Sequence, residues 1–396
     1  MIADTPFVEF SAELELYGKQ LPTKNKALKL VVTIPAKNES ENIWKTLFAL
    51  ANQCSDKNSL PASVYEVLVL CNHCDDDTRD ICYLFQEMHP EFPLYIYETN
   101  DPKINSVGAA RKALMDLASP RLPDDGFIIM TDADTVADKY WLNAFLKTQN
   151  TPGDLICGII NLDLRRLNKN VRKQLYQTRQ YLDMVTRLES ELYPREYDPW
   201  PRHSYNSGPN MAIRKSVYRE VGGMPPLACF EDIALYQKVI SNGFKVKHSS
   251  KPVVTTSCRS SGRVPGGFGS QIKNWSESKT ESVESLKKLN ERFKAFAEIR
   301  EYYQNPSANL LNSFCFRLRM QASDMQVLLQ NHIRSSSLII YLEQTLKYHI
   351  PWNSAYPDIP LEMAIEELVA YFYCFSQTTK SYNSCRSEFI NLNKLE

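Results

Sequence analysis

A doubly wound α/β sheet with a helical C-terminal extension is the fold this sequence predicts, and three observations predict it. Strand-length apolar runs alternate with helix-length amphipathic segments over the first ~150 residues. The runs are unbroken, as expected of parallel strands buried on both faces by crossover helices. From Trp275 onward the periodicity is helical.

Residues 29–34 (KLVVTI) are an apolar, β-branched strand ending at Pro35. Residues 38–52 follow as a helix, with Ile43, Leu47, Leu50 and Ala51 at helical spacing. Residues 65–70 (YEVLVL) form a second strand, followed by a polar turn over 72–77 and a helix over 78–88. Residues 94–98 are a third strand, 107–118 a helix, and 126–131 (GFIIMT) a fourth strand that runs directly into Asp132. Residues 162–192 read as one long charged helix and 193–205 as a Pro-rich aromatic loop. Residues 212–221 read as a helix stopped by Gly222–Gly223, and 233–242 as one stopped by Gly243. A late strand over 253–256 precedes a glycine-rich loop over 262–269. Helices are predicted at 282–303, 313–333, 336–349 and 361–375. No internal repeat is visible.

Composition narrows the function. The 46 basic residues equal the 46 acidic ones, so nothing suggests a nucleic-acid partner, which would call for a basic excess or stripe. No stretch approaches the roughly 18 apolar residues of a membrane span. Residues 1–10 lack a basic start followed by an apolar run, so no secretory signal is expected and a cytoplasmic location is. The ten cysteines are scattered, which favours free thiols over a disulfide framework. Cys71 and Cys74 form a CxxC without a second ligand pair; thiols at a buried strand end explain it better than redox or zinc chemistry.

Polar clusters fall at the carboxyl ends of the predicted strands, where open α/β sheets bind ligands. Asp132-Ala133-Asp134 is the most informative. Two carboxylates one residue apart can both reach a hard divalent cation such as Mg²⁺ or Mn²⁺, which bridges to phosphate oxygens and neutralises a departing diphosphate. A solvated acidic turn is the plain alternative, and the position after FIIM favours the ion. Glu231–Asp232 precedes a helix, where acidic residues are favoured on electrostatic grounds alone. Arg259 and Arg263, among glycines 262, 266, 267 and 269, suit phosphate contact or loop closure, or a solvated loop.

Several ordered pieces resemble the family 2 glycosyltransferases of the GT-A fold. They are Pro35-Ala-Lys-Asn-Glu39, VLVLCNHCDDDT over 67–78, Gly108-Ala-Ala-Arg111, Asp132–Asp134, Gly208-Pro-Asn210 with Arg214 and Gly222–Gly223, and Phe230-Glu-Asp232 with Leu235 and Gly243. The resemblance implies a nucleotide-sugar donor and an unidentified sugar, lipid or small-molecule acceptor. Its donor pocket would use Pro35, Ala36, Glu39, Asn72, Asp76, Arg111, Asp132, Ala133 and Asp134, with Arg259 and Arg263 on a lid. Asp134 and Asp132 would hold a divalent metal (Mn²⁺ or Mg²⁺), with His248 as a candidate third ligand. Gly208 and Asn210 would face the acceptor. Asp232 would be the base of an inverting displacement, with Glu231 orienting the acceptor or the backbone. The implied organisation is an N-terminal segment (1–27), a nucleotide-sugar-binding half (28–150), an acceptor-side half with base and lid (151–272) and a helical region (273–396).

This sequence departs from the family at Cys71–Asn72, where an acidic residue often recognises uracil, and at Lys37, where an aromatic residue is common. The nucleotide therefore stays open. A nucleotidyltransferase would show a glycine-rich loop after the first strand, and PAKNE has no glycine. A non-catalytic nucleotide-sugar-binding protein would have lost Asp134 or Asp232, and both are present. The C-terminal helices are candidates for acceptor binding, for a homo-oligomer interface or for docking a partner.

Overall fold

The computed structural model of the chain describes residues 14–17, 21–23, 25–56, 58–149, 151–258, 272, 274–275 and 281–378. An edge strand, β1 (Glu15–Tyr17), precedes β2 (Leu30–Ala36), β3 (Tyr65–Asn72), β4 (Leu94–Thr99) and β5 (Phe127–Met130). Every residue of β3 is buried, and β2 is nearly so, which is why these strands carry no polar alternation. Helices α1 (Ile43–Ala51), α2 (Thr78–Met88) and α3 (Val107–Ala118) are the crossovers between them. β2 pairs in parallel with both β3 and β5, and β4 adds beyond β3. The chain winds outward through β3 and β4, then returns through α3 to lay β5 on the other side of β2. That reversal makes the crevice between the carboxyl ends of β2 and β5 the topological switch point, where such sheets bind ligands.

The sheet continues through β6 (Thr135–Ala137), β7 (Leu155–Asp163), β8 (Met211–Arg214) and β9 (Val246–Ser257). The described residues form one nine-stranded sheet, β1-β4-β3-β2-β5-β8-β7-β9-β6. Its centre is parallel, while β8 runs antiparallel to β5 and β7. One apolar core lies under α3, α6 (Lys215–Glu220) and α7 (Glu231–Ser241), and a second lies under α1, α2 and α4 (Trp141–Thr148).

Sheet pairing overrides helical periodicity at two places and lengthens a strand at a third. Residues 162–163 end β7, and the helix α5 (Lys169–Leu192) starts only after Asn168, whose side chain accepts from the Val171 N–H at 2.9 Å. Residues 211–214 belong to β8, because both edges of that segment find strand partners, and only α6 remains of the helix expected over 212–221. The late strand is longer than expected, 246–257.

After β10 (Ser282–Glu284), the C-terminal region comprises α8 (Leu286–Gln304), α9 (Ala308–Leu318), α10 (Ala322–Asn331), α11 (Ser335–Thr345), α12 (Ile350–Ala355), β11 (Asp358–Pro360) and α13 (Leu361–Thr378). The helix expected over 313–333 is broken by Arg319, which takes a left-handed conformation (φ 57°). These helices share a third core with Tyr181, Leu188 and Tyr193, so α5 joins them to the sheet. Among the described residues, no helix is long and apolar enough to cross a membrane.

Candidate functional site

The loops after β2 and β3 are built as a pair. Asn38 (φ 52°) and His73 (φ 47°) both occupy the left-handed region, which non-glycine residues seldom enter and which gathers at functional sites. The Asn38 side chain accepts from the Asp75 N–H at 2.8 Å, tying one loop to the other. Asp76 accepts from the Ser40 N–H at 3.1 Å and the Thr78 N–H at 3.0 Å. Burial opposes its charge, but the bonds from Thr78 and Ser40 prevail and hold its carboxyl down at about 2. Buried Glu39 accepts from Asn42 at 3.1 Å, and its N–H donates to the Thr78 hydroxyl at 2.6 Å. Pro35 and Ala36 end β2 beside them. Asp76 and Glu39 thus brace the two loops, while Asn72, buried at the end of β3, has an Oδ1 with no hydrogen-bond partner. A buried unmet acceptor costs about 1–3 kcal/mol, and an N–H on the edge of a nucleobase would satisfy it. Cys71 and Cys74 are free. The Cys74 bond favours the Cys71 thiolate, but Cys82 and burial outweigh it and push that thiol up; the Cys71 bond and burial raise Cys74.

Asp132–Asp134 lies directly after β5, at the switch point. Ala133 contributes only backbone: its side chain packs in the core and its carbonyl accepts from the Thr46 hydroxyl at 2.8 Å. That anchor turns the two aspartates to different partners. Asp134 accepts from the Ser257 hydroxyl, at the end of β9, and Asp132 pairs with Arg111 Nη2. Asp132 is 31% exposed at the cleft. Burial pushes its carboxyl up to about 6 against the pull of Arg111, with Asp134, Glu231 and Asp232 adding like-charge repulsion. Among the described residues, no group of three or more His, Cys, Asp or Glu side chains converges on one metal position.

Beside Asp134 opens a cleft of about 620 Å³ whose walls include Lys45, Asp163, Arg165, Arg172 and Thr256. Three cationic side chains thus face the same space as the second aspartate. Sequence reasoning missed Arg165 and Arg172 because it merged residues 162–192 into one long charged helix, and it singled out no role for Lys45 of α1. Arg259 and Arg263, expected on a lid, lie outside the described residues.

A second polar cluster centres on the first turn of α7. Asp232 Oδ2 accepts from the Gly208 N–H at 2.7 Å and Oδ1 from the Ile233 N–H at 2.8 Å. The two bonds fix the carboxylate, and each oxygen keeps a further lone pair. The helix cap is Phe230; Asp232 satisfies a first-turn N–H of its own helix and also reaches across to Gly208, while Glu231 reaches across to Arg111. Glu231 is buried and pairs with Arg111 Nε at 3.0 Å. Arg111 is itself buried between Asp132 and Glu231, beneath Gly208; a Cβ on Gly208 would stand 2.5 Å from Arg111 Nη2. Arg111 and Glu231 therefore brace Asp132 and the α7 turn from below, and Arg111 Nη1 is left buried without a hydrogen-bond partner.

Two expectations are corrected. Asn210 is buried: it accepts from Trp141 Nε1 at 2.8 Å and donates to the Ile159 and Pro252 carbonyls at 2.8 and 3.0 Å. It ties β7 to the β9 segment, and both of its amide hydrogens are spent inside the core. His248 is buried against Asp198, with Nδ1 2.7 Å from Oδ2. It pairs opposite Cys157, whereas Thr256, beside Asp134, pairs opposite Leu162. Five register positions at 3.3 Å separate them by about 16 Å, so His248 cannot share a metal with Asp134.

The family model for glycosyl transferase family 2 matches residues 31–222, which span the donor loops, Asp132–Asp134 and Gly208 but stop short of Asp232. The chain is 25% identical over 195 residues to Glycosyltransferase AglE of Haloferax volcanii, covering 49% of this chain and 55% of that protein. It is also 25% identical over 234 residues to "Probable glycosyltransferase YdaM" of Bacillus subtilis, covering 58% of this chain and 49% of that one. The chain spans about half the length of these curated relatives. A solved structure, mannosyltransferase PcManGT from Pyrobaculum calidifontis in complex with GDP-Man and Mn²⁺, is similar with TM-score 0.43 and 14% identity, covering 89% of this chain and 88% of that chain. Residues 31–222 of this chain are thus similar to glycosyl transferase family 2, and both curated relatives are glycosyltransferases by name.

Proposed function

We propose that the chain transfers a sugar from a nucleoside-diphosphate sugar to an acceptor hydroxyl, with inversion at the anomeric carbon. One observation carries the reading: Asp132–Asp134 ends β5 at the switch point of the sheet, with Asp132 paired to buried Arg111 and Asp134 opening onto a cleft that carries three cationic side chains. Repulsion between the two aspartates favours a divalent cation. Asp134 would hold it, with Asp132 beside it, and when bound it supplies charge neutralisation for the departing diphosphate. Lys45, Arg165 and Arg172 line the adjoining cleft and suit phosphate oxygens. Asn72 offers its unmet acceptor to the nucleobase.

Asp232 takes the proton from the acceptor hydroxyl as that oxygen bonds to the anomeric carbon. The bond from that carbon to the diphosphate oxygen breaks, and the nucleoside diphosphate leaves. A single displacement needs one base on the face opposite the leaving group, so the product is inverted. The test is a panel of UDP-, GDP- and dTDP-sugars with Mn²⁺ or Mg²⁺, scored by nucleotide release. At least one donor should be turned over, and Asp232→Asn should lower kcat roughly 10²–10⁴-fold with donor binding retained. Unchanged turnover in that variant would remove Asp232 from its role.

A further inference from the structure

Phe230 immediately precedes Glu231 and Asp232, yet the chemistry above does not use it. Phe230 is 50% exposed, and Leu227, three residues earlier, is 45% exposed. Its backbone is left-handed, with φ 60° and ψ 24°, a conformation a bulky L-residue adopts only when its surroundings impose it. Those surroundings are visible. The Leu227 backbone presses on Gly108 of α3, where no Cβ would fit, and the Phe230 carbonyl accepts from the Ala234 N–H at 2.9 Å to open α7. Glycine would take this turn without strain, and an exposed phenyl gains little from burial. The residue found there is therefore one whose benefit lies outside the folding of the free chain.

We infer that Phe230, flanked by Leu227, is the platform on which the acceptor lies, and that the acceptor is a pyranoside presenting its C–H face to the ring while a hydroxyl reaches Asp232. The chemistry fits the place. An aromatic face beside a fixed carboxylate holds a flat molecule by its apolar side and leaves its polar edge to the base. The inference rests on the transferase reading but concerns only the acceptor.

Saturation-transfer NMR on the full chain, with UDP or GDP plus Mn²⁺ present, tests it. The probes are the methyl α- and β-pyranosides of glucose, mannose and galactose. At least one should receive saturation at its ring C–H protons. That signal should be lost in Phe230→Ala and Phe230→Gly and kept in Phe230→Tyr, with the acceptor KM rising roughly tenfold in the first two, the scale of one aromatic contact. Phe230→Gly, freed of strain, should melt no lower than Phe230→Ala, and the thermal shift on adding nucleotide should persist in all three. Binding of no pyranoside to the wild type, or equal binding in Phe230→Ala, would overturn the inference. Loss of the nucleotide shift already in the wild type would instead count against the transferase reading.

Discussion

At the scale of single residues, the buried polar side chains separate structural from chemical roles. His203 accepts the Tyr205 N–H at Nδ1 (3.2 Å) and lies 3.1 Å from the Ser249 carbonyl at Nε2, a pattern that requires a neutral ring. Burial, helped by His248, pushes it down to about 4. The unfolded chain takes up this proton near pH 6.5, whereas the folded chain refuses it until about 4. The associated stability is therefore complete above pH 6.5 and is lost as pH falls towards 4, by at most about 3 kcal/mol. Urea midpoints at pH 7 and 4.5 should differ less in His203→Asn than in the wild type. Asn210→Ala leaves the Trp141 N–H and two carbonyls unpaired and should cost about 2–4 kcal/mol. A lower melting temperature, without a selective rise in acceptor KM, would be its signature.

At the scale of elements, α3 sets the geometry of the site. Ser106 caps it by accepting from the Ala109 N–H at 3.2 Å, and Ser106→Ala should cost about 1 kcal/mol in chemical denaturation. Arg111, one turn further on, cannot move without leaving Asp132 or Glu231. Gly208→Ala forces that movement. We expect kcat to fall roughly 10²-fold while most of the stability is kept, since a shift near 1 Å at reacting groups has that effect. The β7–α5 junction contributes Arg172 to the cleft beside Asp134, where the donor is proposed to bind. Arg172→Ala should raise the donor KM roughly tenfold and leave the fold intact, as checked by initial rates over donor concentration.

At the scale of the whole molecule, the sequence was most legible where one kind of packing decides structure. β2, β3, β4 and β5 are runs buried by helices on both sides, and their polar ends fall at the switch point because the sheet is parallel there. Legibility failed where pairing partners come from far along the chain. β8 looked helical because its neighbours, β5 and β7, are distant in sequence, and β7 went unread except for its last two residues, which were merged into the helix that follows. The same limit governed the site. Asp132–Asp134 could be read from its strand, but whether Asn210 and His248 face ligand or core depends on Trp141 and Asp198, which no local pattern announces. Phe230 went unused for a similar reason, since its exposure and left-handed turn belong to the fold and not to the motif.

The most direct test of the account is calorimetric titration of UDP-sugars and GDP-sugars into the wild type and into Asp134→Ala, each with Mn²⁺ and with EDTA. The wild type should bind at least one donor in Mn²⁺ and lose most of that affinity in EDTA, while Asp134→Ala should bind weakly in both. Donor binding that ignores both the metal and Asp134, or no binding of any donor, would contradict it.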